Sequence, residues 1–181
     1  MSPIGLFYGT DTGFTEIVVK ILVEEFDLVA PDLLTVHNIA DVPVATLAQY
    51  DRLIIGCPTW DIGQLQADWD KAYNQLNSLE LSGKQVAIFG LGDQYGYSNS
   101  YCDAIGILAE KFVNQGAELV GFTSAAGYEF TDSVGVKDGQ FLGLALDEDN
   151  ESDKSPQRVL EWVWQLVDEF DLVHFLEPIP A

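Results

Sequence analysis

"YGTDTGFTE", residues 8–16, closes a short apolar run, Ile4-Gly5-Leu6-Phe7-Tyr8, and opens a helix-like pattern. It holds three threonines, two glycines and Asp11, with no lysine or arginine. A turn from strand to helix leaves the first N–H groups of the helix without intrahelical acceptors, and the helix dipole places roughly half a positive charge there. The hydroxyls of this loop and the free N–H groups at the start of the next helix can therefore hold an oxyanion without a cationic side chain. The stretch is not a Walker loop, because no Gly-Lys-Ser/Thr follows, and it is not the dinucleotide GxGxxG pattern. An ordinary threonine-capped turn would read the same way in isolation, so its meaning depends on the rest of the chain.

Outward from this stretch, short apolar runs recur at 33–37, 53–57, 86–90, 119–122 and 141–146, with longer amphipathic segments between them. Residues 16–26 present Ile17, Ile21 and Leu22 on one face, with Glu16, Lys20 and Glu24 at i,i+4 spacing on another. Residues 102–115 carry Ile105, Leu108, Ala109 and Phe112, and Gly116 is a stop. The last helix is the clearest: Ser155 as cap, Pro156 in the first position, and Val159, Val163, Leu166, Val167 and Phe170 as the buried stripe. Residues 68–76 form a weaker helical pattern. Alternation of helices with nearly all-apolar strands implies an α/β fold, a single doubly wound parallel sheet with helices on both faces. One domain over residues 1–171 is expected. Residues 123–140, polar and glycine-containing, read as an insertion between two halves of the last strand, and residues 172–181 as a C-terminal tail.

The charge balance narrows the partners. The chain has 29 acidic and 8 basic residues among 181, a net charge of −21. Nucleic acid is excluded as a natural partner, because phosphate backbones require Lys or Arg. A basic protein partner suits such a field through long-range steering. No apolar run approaches the length that spans a bilayer, so no membrane insertion is expected. No secretory signal is read at the N-terminus, and Cys57 and Cys102 show neither CxxC nor metal-ligand spacing; two reduced thiols in a cytoplasmic protein, or a chloroplast-stromal one in an alga, are expected. The acidic run 147–153 lacks the glycine and glutamate of a calcium loop and reads as solvated.

In an open parallel sheet, ligands bind beyond the carboxyl ends of the strands. Two more loops leave such ends. Cys57-Pro58-Thr59-Trp60-Asp61-Ile62-Gly63 offers a tryptophan between proline and glycine, a candidate stacking surface. The stretch from Gly90 to Asn99 contains three glycines and two tyrosines, of which Tyr97 can supply a second flat surface. An anion cradle and two aromatic loops at successive strand ends describe a ligand with a phosphate at one end and a flat ring at the other.

With Thr10-Asp11-Thr12-Gly13-Phe14-Thr15, "GCPTWDIG" (56–63), "GDQYGY" (92–97) and "GLALDEDN" (143–150), the sequence resembles the flavodoxins over about residues 4–171, and the 123–140 insertion resembles that of long-chain members. The resemblance supplies the strand order 2-1-3-4-5, which is the flavodoxin order itself. It implies one non-covalent FMN and a monomeric, low-potential, one-electron carrier working between semiquinone and hydroquinone. Thr10, Asp11, Thr12, Gly13, Phe14 and Thr15 would form the phosphate loop. Trp60 and Tyr97 would sandwich the isoalloxazine. Pro58, Thr59, Gly92, Asp93, Asn99, Tyr101 and Cys102 would surround its ring edge, and Asp147 would approach the ribityl chain. The Asp61–Ile62 peptide, next to Gly63, matches the one whose carbonyl turns toward flavin N5–H on reduction. Two positions depart from the pattern: Phe14 stands where lysine is frequent, and Asp61 where Asn or Gly is frequent. The implied partners are basic redox proteins, a ferredoxin–NADP reductase-like protein and photosystem I. The rival reading is an FMN-dependent NAD(P)H or quinone reductase, which needs an open ring face that Trp60 and Tyr97 would close. A flavin-free regulatory module akin to a receiver domain is a further rival, but the acidic cluster expected at the end of its first strand is missing.

Overall fold

The computed structural model describes residues 4–176. In chain order the elements are β1 (Ile4–Tyr8), α1 (Phe14–Val29), β2 (Leu34–Asn38), β3 (Arg52–Trp60), β4 (Gln64–Leu65), α2 (Ala67–Tyr73), β5 (Gln85–Leu91), α3 (Asp103–Asn114), β6 (Glu118–Val120), β7 (Thr123–Ser124), β8 (Val136–Lys137), β9 (Gln140–Phe141), β10 (Leu144–Leu146) and α4 (Ser155–Glu169). The main sheet runs β2-β1-β3-β5, all parallel, and both β6 and β10 pair with β5. β6 takes Gln85–Ala87 and β10 takes Phe89–Leu91, so together they fill the fifth position. Counted by position, this is the expected order 2-1-3-4-5. Between the two halves, β7, β9 and β8 form a small antiparallel sheet.

The strands alternate by the pleat. Leu53, Ile55, Val86 and Ile88 face one core with Trp69, Leu76, Ile105, Leu108 and Phe112 of the α2–α3 side. Ile4, Leu6, Ile54, Ala87 and Phe89 face the other, with Val18, Leu22 and Phe26 of α1 and Val159, Trp162, Val163 and Leu166 of α4. Burial on both faces is why these strands read as continuous apolar runs.

Three expectations are corrected. In α1 the buried stripe is Thr15, Val18, Val19, Leu22, Phe26 and Val29, while Ile17 is exposed. The helix starts at Phe14 and runs to Val29, and over that length the sheet-facing row is set by Val18, Leu22 and Phe26. Ser155 does not cap α4: it is the first helical residue, its side chain is buried, and its hydroxyl donates to Glu148 Oε1. The segment 57–63 is not all loop. β3 runs through Trp60 and turns back into β4, pairing Thr59 with Leu65 and Trp60 with Gln64. Pro58 is tolerated at the strand's end, where it faces only the last residue of β5, Leu91. The turn is made by Asp61 and Gly63, both at positive φ (45° and 78°).

Gly116 stops α3 as expected, at φ 93°. Cys57 and Cys102 are unpaired and fully buried; burial pushes both thiols up, Cys57 to about 12, so neither ionises at neutral pH. Residues 177–181 of the expected tail lie outside the described residues. Among the described residues no helix is long and apolar enough to cross a membrane, and no acidic or histidine cluster is arranged to hold a metal.

Candidate functional site

The carboxyl ends of β1, β3, β5 and β10 open into one cleft of about 300 Å³. Thr10, Thr12, Phe14 and Thr15 line one end. Pro58, Thr59, Trp60 and Asp61 line a second wall, and Leu91, Gly92, Asp93 and Tyr97 a third. Glu148 and Asp149, just past β10, complete it.

The anion end is made by one tight turn. Gly13 is the residue before α1, at φ 91°, a left-handed backbone that a side chain resists. Its N–H donates to Thr10 Oγ1 at 3.0 Å, which closes the loop on itself. No side chain caps α1, and its first intrahelical bond is Ile17 N–H to Gly13 O. The N–H groups of Phe14, Thr15 and Glu16 therefore lie ahead of the helical ladder. Asp11, the one charge in the loop before α1, does not line the cleft: Gln66 Nε2 donates to its carboxylate at 2.9 Å. The cradle thus presents hydroxyls and amides, with its carboxylate turned aside.

The ring end is bounded by two aromatics. Trp60 sits on the β3–β4 hairpin, and its Nε1 is buried without an acceptor among the described residues. An orphaned indole N–H is an unmet donor. Tyr97 is half exposed on the 92–99 loop. That loop is stiffened by Asp93, whose carboxylate accepts from the Tyr95 and Gly96 N–H groups and from Asn150 Nδ2; the Gly96 bond foremost holds its pKa below the usual range. The Thr59 hydroxyl accepts from the Ala104 N–H at the start of α3, which ties the hairpin to that helix.

Of the expected site residues, Thr10, Thr12, Phe14, Thr15, Pro58, Thr59, Trp60, Asp61, Gly92, Asp93 and Tyr97 meet in the cleft. Eight do not line it. Asp11 and Gly63 lie instead in an adjoining groove of about 580 Å³, with Trp60, Asp61, Asp70 and Tyr73. Gly13 shapes the turn without lining the cleft, Ile62 projects from the turn with 83% exposure, and Asn99 faces outward. Tyr101 is fully buried, stacked on Phe130 at 5.4 Å. Cys102 is buried at the entry to α3.

Asp147 is the largest departure. It is fully buried and accepts from the Gln94 N–H and Nε2 and from the Asn150 N–H and Nδ2. Its neighbours Glu148 and Asp149 reach the cleft in its place. The pleat gives the reason: Asp147 shares the parity of Ala145, which packs with the α3 side, so its side chain continues inward. That alternation is present in "GLALDEDN" and selects Glu148. The acidic run is accordingly not a plain solvated loop. Burial raises the Glu148 and Asp149 carboxyls, with Asp147 adding to both. Glu151 is buried and paired with Lys154 and Arg158; the Lys154 bond foremost draws its pKa down to about 2.

Comparison with known proteins gives a consistent result. The Flavodoxin family model matches residues 6–162. A flavodoxin from Nostoc sp. is 50% identical over 169 residues, covering 93% of this chain and 98% of the relative. One from Synechococcus elongatus is 46% identical over 172 residues, covering 95% and 100%. The crystal structure of Fusobacterium nucleatum flavodoxin bound to flavin mononucleotide superposes with a TM-score of 0.87 at 31% identity, covering 93% of this chain and 99% of that one.

Proposed function

We propose a function from one premise: the chain belongs to the flavodoxin family. It is an FMN-based electron carrier and not an enzyme; the reductase reading is not favoured. The observation that carries this is the convergence, in one cleft, of an uncapped helix start ringed by threonines with Trp60 and Tyr97. The fit to FMN is good on two counts. A phosphate dianion suits an anion end whose carboxylate is turned away, and the orphaned Trp60 Nε1 is a donor that a ligand acceptor would satisfy.

In this reading Thr10, Thr12, Thr15 and the first amides of α1 hold the phosphate. Trp60 and Tyr97 flank the ring, with Asp93 and the backbone of Thr59 at its edge. Glu148 and Asp149, rather than Asp147, face the ribityl chain. The bound flavin supplies the redox chemistry by taking up electrons one at a time. The chain supplies no acid or base; it orients the ring, shields its faces and keeps its edge open. Asp61 already stands at positive φ, a conformation that aspartate tolerates better than most residues, and the Asp61–Ile62 peptide is the one that would turn in answer to a change of charge in the ring. Carboxylates around the cleft disfavour added negative charge, which sets a low potential.

The partners in this reading are basic redox proteins of the ferredoxin–NADP reductase kind, and the architecture is of the long-chain type. The groove beside Trp60 supports the partner assignment, because Asp11, Asp61 and Asp70 give the surface next to the cleft a negative face that a basic protein would meet. Electron transfer to such a partner should slow steeply as salt rises from about 10 mM to about 0.5 M; a rate flat across that range would refute the steering. The cofactor assignment is tested by titrating FMN into the flavin-free protein. One FMN per chain, with its fluorescence quenched, is expected; unquenched FMN would defeat the reading.

A further inference from the structure

Gln94 is fully buried, yet it lies in the loop that carries Tyr97. Its side chain joins three segments that are far apart in sequence. Nε2 donates to Asp147 Oδ2 at 3.0 Å, and Oε1 accepts the Glu129 N–H at 2.6 Å. Its own N–H donates to the same Asp147 oxygen at 3.1 Å. Asn150 closes the circuit, donating through Nδ2 to Asp147 and to Asp93. The 123–141 segment adds further ties to the same loop: the Thr131 and Asp132 N–H groups donate to Ser98 O, and the Tyr101 N–H donates to Asp132 O.

We propose that Gln94 is a positioning residue for the flavin site, an amide clamp that locks the Tyr97 loop, the Glu148–Asp149 wall and the inserted segment into one body. The proposal rests on the FMN reading given above. The chemistry argues for it. Asp147 is a buried carboxylate whose oxygens are met by amides rather than by a cation, so each amide donor there is costly to remove. Tyr97 is half exposed, so its position follows that of its loop backbone. A body that is ordered before the ligand arrives spares the ligand the entropy of ordering it.

The test compares affinity for FMN and the visible circular dichroism of the bound flavin across four variants. Gln94→Leu removes the bonds to Asp147 and to the Glu129 N–H. Gln94→Glu places a second carboxylate against Asp147, and Asp147→Asn puts an amide nitrogen among groups that all donate to it. Each should weaken FMN binding more than about tenfold and alter the dichroism. In Gln94→Glu a proton shared with Asp147 restores the missing donor, so its affinity relative to the native protein at the same pH should recover at least about threefold between about pH 7.5 and about pH 5. Gln85→Leu is the control: it breaks a bond to Glu169 O at the opposite end of β5 and should leave affinity within about twofold. Single variants at Gln94 that bind like the native protein, or a Gln94→Glu defect that is the same at both pH values, would overturn the proposal. If Gln94→Leu does not fold, Gln94→Glu and its recovery in acid decide. If the native protein does not bind FMN at all, hydrogen exchange of residues 94–101 still decides. Faster exchange in Gln94→Glu than in the native protein at the same pH supports the clamp, and unchanged exchange refutes it.

Discussion

The two ends of the cleft are built in opposite ways. The anion end is local: a single turn from Thr10 to Thr15 closes through the bond from Gly13 to Thr10, and its amides come from the helix that the same turn begins. The ring end is assembled from distance. Trp60 is placed by a hairpin, Tyr97 by a loop clamped to residues 129 and 147, and the acidic wall by the end of β10. The difference teaches that a cradle suited to a phosphate can be written into six consecutive residues, whereas a seat suited to a flat ring depends on the whole tertiary frame.

The largest expected effect tests whether one floor supports both ends. Trp69 is fully buried, donates from Nε1 to Gly56 O at 2.9 Å, and lies where a side chain at Gly9 would meet it. Trp69→Ala should destabilise the flavin-free protein by about 3–5 kcal/mol in urea unfolding. A loss below about 1 kcal/mol would mean that the floor repacks.

Thr12→Val separates the ends. A hydroxyl bonded to a charged group contributes about 1.5–3 kcal/mol, so FMN affinity should fall at least about tenfold. Riboflavin, which lacks the phosphate, should bind the variant as it binds the native protein. Trp60→Ala makes the converse cut. Loss of a stacking face costs about 1–3 kcal/mol, and FMN and riboflavin should weaken by the same factor. A Trp60 variant that discriminates between the two ligands, or a Thr12 variant that does not, would break the division into two ends.

Acid sharpens the account of the acidic loop. The Glu151 carboxyl is held at about 2 when folded, below its unfolded value of about 4.3. Its contribution to stability is therefore complete above the unfolded pKa and is lost as pH falls from about 4.3 toward 2. Asp149 acts with the opposite sign. Its carboxyl is raised in the folded protein, so its contribution is present at low pH and lost as pH rises through the folded value. Glu151→Gln should lower stability at neutral pH and flatten its decline between about pH 4 and about pH 2.5, as read by urea unfolding at each pH. An unchanged acid slope would remove Glu151 from the loop's support.

The same contrast explains what is legible in the sequence. The parallel sheet and the anion turn follow from runs of neighbours: apolar strands buried on both faces, and a turn whose hydroxyls and glycine lie within one motif. The strand order follows only from the family resemblance, because no run of neighbours says which strands lie side by side. Trp60 and Tyr97 are legible as aromatics in loops at strand ends. Gln94 is not, because a glutamine beside glycines reads as surface loop, and only contacts 35 and 53 residues away bury it. Asp147 points to the cleft only when its motif is taken as a block; strand parity turns it inward. Ile17 falls on the inner face only when the stripe of α1 is counted from an incomplete helix.

The central claim is that this cleft carries FMN as a one-electron centre. An anaerobic reductive titration of the FMN-loaded protein, followed in the visible range, tests it most directly. The account predicts two separate steps, with a long-wavelength band that grows to a maximum near one electron per flavin and then bleaches. Direct two-electron bleaching without that band would contradict it.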